Sequence, residues 1–257
     1  MNDEQRILIL LFYYDRPELV KIAVNSIKSQ QYTNWEVAFI DDSSSVPGEP
    51  IVRDILSDYL DKVTFYHTND TTEQKLERNG VDGSVFGKYA QLAIEQSSAE
   101  YVIMLCDDDA LYPEYFKNLN TYFYEHTDEH YVYSHIHTYD PLLSTIETEL
   151  RIPSEYHHLN KTHALNPYFN IDMSQVAWRR TSFLEANIQF PYPMTVNLDA
   201  AIYIQMHSAF GLCKFSGFTG QFKAIDKGKY MDQLSHRMGK QLAGLVRDEE
   251  IYTTTVK

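Results

Sequence analysis

The chain has 257 residues, a length that suits one large α/β domain or a domain with an appended subdomain. Hydrophobic residues make up 44% of it, so we expect a substantial core. The formal net charge of -14 argues against binding to a nucleic-acid backbone, which requires basic patches. It leaves phosphorylated small molecules open as ligands, because a metal ion can supply positive charge locally.

Strand-like and helix-like segments alternate along the first half of the chain. Apolar runs predict strands at Ile7–Tyr13, Trp35–Ile40, Val63–His67 and Tyr101–Cys106. Helical spacing and capping residues predict helices that start at Pro17, cover Ile51–Leu60, follow Ser84 and start at Pro113. A long polar loop is predicted for Thr68–Gly83. This alternation predicts an α/β fold with a mostly parallel central sheet flanked by helices.

The second half of the chain is less regular. Residues 126–170 are rich in His and Tyr and have no clear period. The patterns predict a strand at Val176–Trp178 and helices at Thr181–Ala186, from Leu198 to about Ala209, and at Asp232–Glu250. Because no repeat or linker interrupts the chain, we predict a single domain over residues 1–257.

The sequence contains no sign of a membrane or secreted protein. No apolar run approaches the roughly 20 residues of a membrane-spanning helix. The polar start is followed by a short apolar run, Ile7 to Tyr14, which is not a signal peptide. We therefore predict a soluble cytoplasmic protein without a transmembrane segment. Its two cysteines, Cys106 and Cys213, are predicted to be reduced thiols, since Cys106 belongs to a predicted buried strand.

Acidic side chains follow two of the predicted strands. Asp41-Asp42 ends the second strand, and Asp107-Asp108-Asp109 ends the fourth. Adjacent like charges repel each other, and burial strengthens the repulsion. One interpretation is a solvated strand-to-helix turn; the other is a divalent cation held by carboxylates and substrate phosphates. Ligands of open parallel sheets bind at the carboxyl ends of strands, so the placement of both clusters favours the second interpretation.

Three motifs, in this order and spacing, carry a resemblance to a known family: Tyr14-Asp15-Arg16-Pro17, Ile40-Asp41-Asp42-Ser43-Ser44, and Cys106-Asp107-Asp108-Asp109 with Tyr112-Pro113. The sequence resembles the family 2 glycosyltransferases from about Ile7 to His236, especially the branch of the spore-coat polysaccharide glycosyltransferase. The resemblance implies the GT-A fold, with residues 1–112 as nucleotide-binding half and 113–257 as acceptor-side half and C-terminal helix. It also implies metal-dependent, inverting transfer of a sugar from a UDP- or dTDP-sugar to a hydroxyl of a glycan or another acceptor, in polysaccharide or glycoconjugate synthesis.

The resemblance also implies roles for individual residues. Asp42 would accept a hydrogen bond from N3–H of uracil or thymine, although a turn-capping role is the alternative. Asp107 would contact the ribose, and Asp108 would ligate Mg²⁺ or Mn²⁺ with Asp109 as an accessory. Asp199 would be the general base. The other implied positions are Phe12, Tyr14, Arg78 and Lys88 at the nucleotide sugar, His236 at the diphosphate and metal, and Asp172 on the acceptor side.

The sequence departs from the family pattern at Cys106, where many members carry Asp, and at Ala90-Gln91, where many carry Arg-Asn. At Cys106 the sequence resembles the spore-coat branch. At Ala90-Gln91 the family motif on the phosphate side is missing, so no motif supports the role of Lys88. A zinc site at His135 and His137 is a weaker hypothesis than ordinary surface histidines. A nucleotidyltransferase would need a Gly-rich, Lys-bearing loop after the first strand, and a dehydrogenase would need G-x-G-x-x-G there. A non-catalytic sugar-nucleotide or glycan-binding protein stays open, as do the sugar, the acceptor and the oligomeric state.

Overall fold

The computed structural model describes residues 5–68, 74, 86–140, 145–149, 171–190 and 198–224. Its strands are β1 (Ile7–Tyr13), β2 (Trp35–Asp41), β3 (Val63–His67), β4 (Tyr101–Cys106), β5 (Asp109–Leu111), β6 (Tyr131–Asp140), β7 (Thr145–Glu149), β8 (Val176–Arg179) and β9 (Lys214–Ala224). Its α-helices are α1 (Pro17–Lys28), α2 (Glu49–Ile55), α3 (Phe86–Gln96), α4 (Tyr115–Glu125), α5 (Arg180–Glu185) and α6 (Leu198–Phe210). Short 3₁₀ helices cover Ser57–Lys62 and Met173–Gln175.

These strands form one sheet in the order β3-β2-β1-β4-β8-β6-β9-β5, and β7 pairs with β6. The first four run parallel to one another. Beyond them, β8 is antiparallel to both β4 and β6, β9 is parallel to β6, and β5 is antiparallel to β9. The α/β class with a mostly parallel sheet flanked by helices, which the sequence predicted, is confirmed.

Strand β1 shows why its sequence is a continuous apolar run. All seven of its residues are buried. Leu8, Leu10 and Phe12 pack on one face of the sheet, in the core that includes residues of α3 and α6. The alternate residues, from Ile7 to Tyr13, pack on the opposite face with residues of α1 and α4. A parallel strand with both faces covered leaves no position for a polar side chain, so alternation is lost.

The predicted helix Ile51–Leu60 is wrong in its second half. The structure ends α2 at Ile55 and continues with the 3₁₀ turn, inside which Tyr59 leaves helical backbone angles. The Tyr59 ring lies 5.3 Å from the ring of Trp35, centroid to centroid. The Lys62 ammonium lies 4.9 Å from the same Trp35 ring. We attribute the break to these contacts with Trp35, which helical propensity does not include.

The sequence did not predict strands β5, β6, β7 and β9. The longest of them, β9, passes very close to helix α4. A Cβ atom on Gly220 would overlap the buried ring of Tyr115 and lie 2.7 Å from the Ser134 hydroxyl oxygen. Glycine therefore allows β9 to approach α4 this closely, three residues before Lys223.

Two other expectations concern the chain as a whole. Both cysteines are free thiols, as predicted. None of the helices in the described ranges combines the length and the apolarity that crossing a bilayer requires. The predicted loop Thr68–Gly83 and the predicted helix Asp232–Glu250 lie almost wholly outside the described residues.

Candidate functional site

The loops after β1, β2 and β4 meet at one edge of the sheet. The strands lie side by side, with Tyr13 paired to Asp41 and Phe12 paired to Cys106. Beyond these pairs the chain forms a cleft of about 150 Å³. The described residues that line it are Phe12, Tyr14, Arg16, Phe86, Cys106, Asp107, Asp108, Met173 and Lys223.

Two of these loops contain strained backbone and are bonded to each other. Asp15 and Ser43 both have left-handed angles, with φ of 48° and 53°. Asp15 Oδ1 accepts hydrogen bonds from Ser45 Oγ at 2.8 Å and from the Val46 N–H at 2.9 Å. Each left-handed non-glycine residue costs on the order of 1–3 kcal/mol, and such residues cluster at functional sites. The strain therefore supports a functional assignment of this edge.

The two carboxylates after β2 have different surroundings. Asp41 accepts the Ser44 N–H at 3.0 Å on one oxygen and the Gly48 N–H at 3.1 Å on the other. Asp42, which is also buried, accepts a hydrogen bond from the Thr68 hydroxyl at 3.1 Å. Asp41 therefore caps this turn, and both the contact of Asp42 with a base and its alternative turn-capping role stay predictions.

Arg16 joins the first two carboxylates after β4. Its Nη1 lies 3.0 Å from Asp107 Oδ1 and 2.8 Å from Asp108 Oδ2. The Tyr14 N–H donates to the other oxygen of Asp107 at 2.9 Å. Burial alone would lower the pKa of Arg16, but the charges of Asp107 and Asp108 outweigh it and the pKa is raised. Arg16 was not a predicted site residue, although it belongs to the motif that carried the resemblance.

A second cation, Lys223 on β9, contacts the third carboxylate. Its Nζ lies 2.8 Å from Asp172 Oδ2 and 3.6 Å from Asp109 Oδ1, and the Ser174 hydroxyl donates to the other oxygen of Asp109. Burial and the charges of Asp172 and Asp108 raise the pKa of Asp109 to about 7, against the opposing charge of Lys223. Burial would lower the pKa of Lys223, but the neighbouring carboxylates raise it well above its ordinary value.

Asp172, predicted on the acceptor side, is buried and forms an ion pair with Lys223. One of its oxygens accepts the Ser174 N–H at 3.3 Å and caps the Met173–Gln175 turn. The other accepts from Lys223 at 2.8 Å. A contact of Asp172 with an acceptor stays a prediction. What the structure shows is that Asp172 holds Lys223 at the cleft wall.

The residues after β4 fit a divalent cation. Potential ligand atoms of Cys106, Asp108 and Asp109 lie within 4.8 Å of one another. Asp109 Oδ1 is buried and has no hydrogen-bond donor among the described residues. Carboxylate oxygens are the ligands that Mg²⁺ and Mn²⁺ prefer. Burial, followed by the charges of Asp109 and Asp108, raises the pKa of the Cys106 thiol well above its ordinary value, so the thiol is neutral without an ion.

Of the other site residues predicted at the nucleotide sugar and the diphosphate, two line the cleft, one does not, and two lie outside the described residues. Phe12 and Tyr14 line the cleft, whereas Lys88 is exposed on α3 with its ammonium 5.5 Å from the Tyr89 ring. Lys88 is not among the described residues that line the cleft. Arg78 and His236 lie outside the described residues.

Asp199 lies in the first turn of α6 and is half-buried. One turn later, the Tyr203 hydroxyl donates to the carbonyl oxygen of Met173, a residue of the cleft wall, at 2.7 Å. Burial, and after it the charge of Asp199, raises the pKa of Tyr203. The electrostatic effect of Asp199 therefore reaches a side chain bonded to the cleft wall.

The histidines of β6 have ordinary partners. His137 shares a 2.6 Å hydrogen bond with the Tyr112 hydroxyl, and His135 stacks on Phe215. Within the described ranges, the group of Cys106, Asp108 and Asp109 is the one with metal-ligand spacing. The zinc hypothesis therefore gains no support from these histidines.

No protein-family model matches the sequence. In structure the chain is similar to S. aureus TarS 1-349, with a TM-score of 0.59 and 16% identity over 90% of this chain and 65% of that one. TarS 1-349 in complex with UDP-GlcNAc gives a TM-score of 0.60 and 18% identity over 88% of this chain and 60% of that one. The mannosyltransferase PcManGT from Pyrobaculum calidifontis, in complex with GDP-Man and Mn²⁺, gives a TM-score of 0.56. Its sequence is 12% identical over 98% of this chain and 69% of that one.

This chain therefore spans slightly less than two thirds of the TarS fragment. At identities of 12–18% the similarity is one of fold. The chain has the GT-A fold.

Proposed function

We propose that this chain is a metal-dependent, inverting glycosyltransferase. It would move a sugar from a UDP- or dTDP-sugar to a hydroxyl of a glycan, a lipid-linked sugar or a similar acceptor, in polysaccharide or glycoconjugate synthesis. The observation that carries the proposal is the convergence of Asp107, Asp108 and Arg16 on one cleft at the carboxyl ends of parallel strands, in a GT-A fold. Similar structures were solved with UDP-GlcNAc and with GDP-Man.

The nucleoside would be held after β2 and β4. Asp42 would accept the N3–H of uracil or thymine and so disfavour cytosine, whose N3 has no hydrogen to donate. Asp107 would contact the ribose. The backbone N–H of Tyr14 and the guanidinium of Arg16 fix the Asp107 carboxylate, so it is oriented before the donor arrives. Phe12 and Tyr14 offer aromatic surface to the donor from the same wall.

The diphosphate would lie beside Asp108 and Asp109, which would hold Mg²⁺ or Mn²⁺. When bound, the cation would neutralise charge that develops on the departing diphosphate. Arg16 and Lys223 also face this cleft and add fixed positive charge from the protein. Arg78, Lys88 and His236 are further candidates for diphosphate contact.

The acceptor would be activated by Asp199. As the acceptor oxygen bonds to the anomeric carbon, the bond to the diphosphate breaks on the opposite face and the hydroxyl proton moves to the Asp199 carboxylate. A carboxylate in the first turn of a helix is stabilised in its ionised form by the helix dipole. Asp199 has this position on α6.

Turnover of purified protein with UDP- and dTDP-sugars, with and without Mn²⁺, tests the proposal. Asp199→Asn should lower turnover by roughly 10²–10⁴-fold and leave nucleotide affinity unchanged. Asp58→Asn is the matched control, because Asp58 is exposed and is not among the described residues that line the cleft. It should change neither turnover nor nucleotide affinity. Full turnover by Asp199→Asn would show that another group is the base. Binding of nucleotide sugars without turnover under any metal would favour a non-catalytic binding protein.

A further inference from the structure

Two sulfur atoms lie beside the acidic cluster after β4. Cys106, the last residue of that strand, has its Sγ within 4.8 Å of ligand oxygens of Asp108 and Asp109. The Met173 Sδ lies 3.6 Å from the same Sγ. Both residues line the cleft in which a cation would be held. The proposed transferase chemistry uses neither of them.

A second observation indicates that this place requires a cation. Asp109 Oδ1 belongs to a residue only 1% exposed and has no hydrogen-bond donor among the described residues. The Lys223 ammonium is 3.6 Å away, too far for a hydrogen bond. Buried carboxylate oxygens are normally hydrogen-bonded or bound to metal, because leaving them unsatisfied is costly.

The charges around the cleft point the same way. Two cations, Arg16 and Lys223, are paired with four carboxylates, those of Asp107, Asp108, Asp109 and Asp172. When all four are ionised, these groups carry two negative charges in excess. A cation is therefore favoured in the cleft, and ionisation of the Cys106 thiol would add one further negative charge.

We propose that Cys106 Sγ is a metal ligand together with Asp108 and Asp109, and that the site therefore favours Mn²⁺ over Mg²⁺ and also takes the more thiophilic ions Co²⁺ and Zn²⁺. Bonds of roughly 2.0–2.3 Å to one tetrahedral ion place its ligand atoms about 3.3–3.8 Å apart. The three atoms, which lie within 4.8 Å of one another, would have to move together by up to about 1 Å to bind it. As the metal–sulfur bond forms, the thiol proton leaves to solvent. Thiolate ligands favour Zn²⁺ and similar ions over Mg²⁺, which prefers oxygen.

The inference deepens the proposed function, because it specifies the class of ion for the same cleft, and it is tested without any sugar nucleotide. Co²⁺ is titrated into the metal-free full-length protein, and absorption from sulfur-to-cobalt charge transfer is recorded in the near ultraviolet. The wild type should develop this absorption with one equivalent of Co²⁺. Cys213→Ser should behave identically, since Cys213 is the other free thiol and is buried elsewhere.

Cys106→Ser should lose the absorption and bind Co²⁺ and Zn²⁺ at least roughly ten-fold more weakly, while Mg²⁺ affinity changes little. If Cys106→Ser fails to fold, X-ray absorption spectroscopy of Zn²⁺ bound to the wild type should still show a sulfur neighbour at about 2.3 Å. Absence of that neighbour, absence of Co²⁺ binding, or charge transfer that persists in Cys106→Ser would overturn the inference. Sulfur ligation in a protein that transfers no sugar would overturn the proposed function alone.

Discussion

Two acidic turns lie at the same edge of the sheet, one after β2 and one after β4 on either side of β1, and their carboxylates have different hydrogen-bond and ion-pair partners. After β2, Asp41 is bonded by backbone N–H groups and Asp42 by the Thr68 hydroxyl. After β4, Asp107 and Asp108 are paired with Arg16, and Asp109 with Lys223. The sequence pattern of the two turns is similar, but the donors come from parts of the chain that the pattern does not include.

The difference shows what each turn can do. Neutral donors fix the shape of the first turn and do not compensate its charge. Cations compensate part of the charge in the second turn, and a phosphate or metal that enters the cleft has to interact with those cations and carboxylates together. The first turn is therefore suited to recognition by shape and hydrogen bonding, and the second to ligands whose charge changes during a reaction.

The largest effect that would separate the turns is expected from Arg16→Met. It leaves two nearly buried carboxylates without their cation, so the free energy of unfolding should fall by about 3–5 kcal/mol, as for other broken buried pairs. Arg53→Met breaks an ion pair with Glu49 in which Arg53 is half exposed, and it should cost less than about 1 kcal/mol. Chemical denaturation measures both. Equal losses for the two variants would mean that Arg16 is not a structural counter-charge of the second turn.

The next effect concerns pH and Asp109. Its pKa is about 7 in the folded protein and 3.8 for an ordinary Asp side chain, so between pH 4 and 7 the folded state holds a proton that the unfolded state has released. Its contribution to stability is therefore complete below pH 4 and is lost as the pH rises to 7. Relative to Asp109→Asn, the wild type should lose at most about 1.4 kcal/mol for each pH unit in this range.

Unfolding of the two proteins measured at several pH values tests this, with Asp58→Asn as an exposed control that should follow the wild type. A difference between wild type and Asp109→Asn that stays constant or grows with pH would contradict the prediction.

The smallest effect would sharpen the contrast inside the first turn. Asp41→Asn places an amide against the N–H of Ser44 or Gly48 and should cost about 1–2 kcal/mol of stability.

Asp42→Asn should cost less than about 1 kcal/mol, because an amide can still accept from Thr68. An Asn at this position can also donate to N3 of cytosine, so it should narrow the preference for UDP over CDP in calorimetric titrations. An unchanged preference would remove Asp42 from the base-binding role.

Prediction of the fold from the sequence succeeded for strands that are buried on both faces of the sheet. Strands β1 and β4 lie in the parallel part of the sheet, and their apolar runs predicted bounds that the structure reproduces. Strand β6 was missed because His135, His137 and several tyrosines interrupt its apolar pattern, and these residues are satisfied by contacts with distant partners such as Tyr112 and Phe215. Local sequence does not contain those partners.

The same distinction applies to the candidate site. The acidic residues were found because they follow recognisable strands. Lys223 could not be found, because it belongs to β9, whose pattern predicted no strand, and its partner Asp172 precedes it by 51 positions. Arg16 could have been found, since a cation directly before the first helix is followed by acids at the neighbouring strand end. Its value as a counter-charge becomes visible only when β1 and β4 are known to be adjacent.

The close approach at Gly220 has a consequence for how changes in this protein should be interpreted. A Cβ atom at that position would overlap the Tyr115 ring, so either the ring or β9 would have to shift, and a shift of β9 would move Lys223 with it. The balance of charge in the cleft thus depends on a residue that carries no charge and touches no ligand. Genetic variation at such a position would resemble damage to the chemistry, although its origin is purely steric.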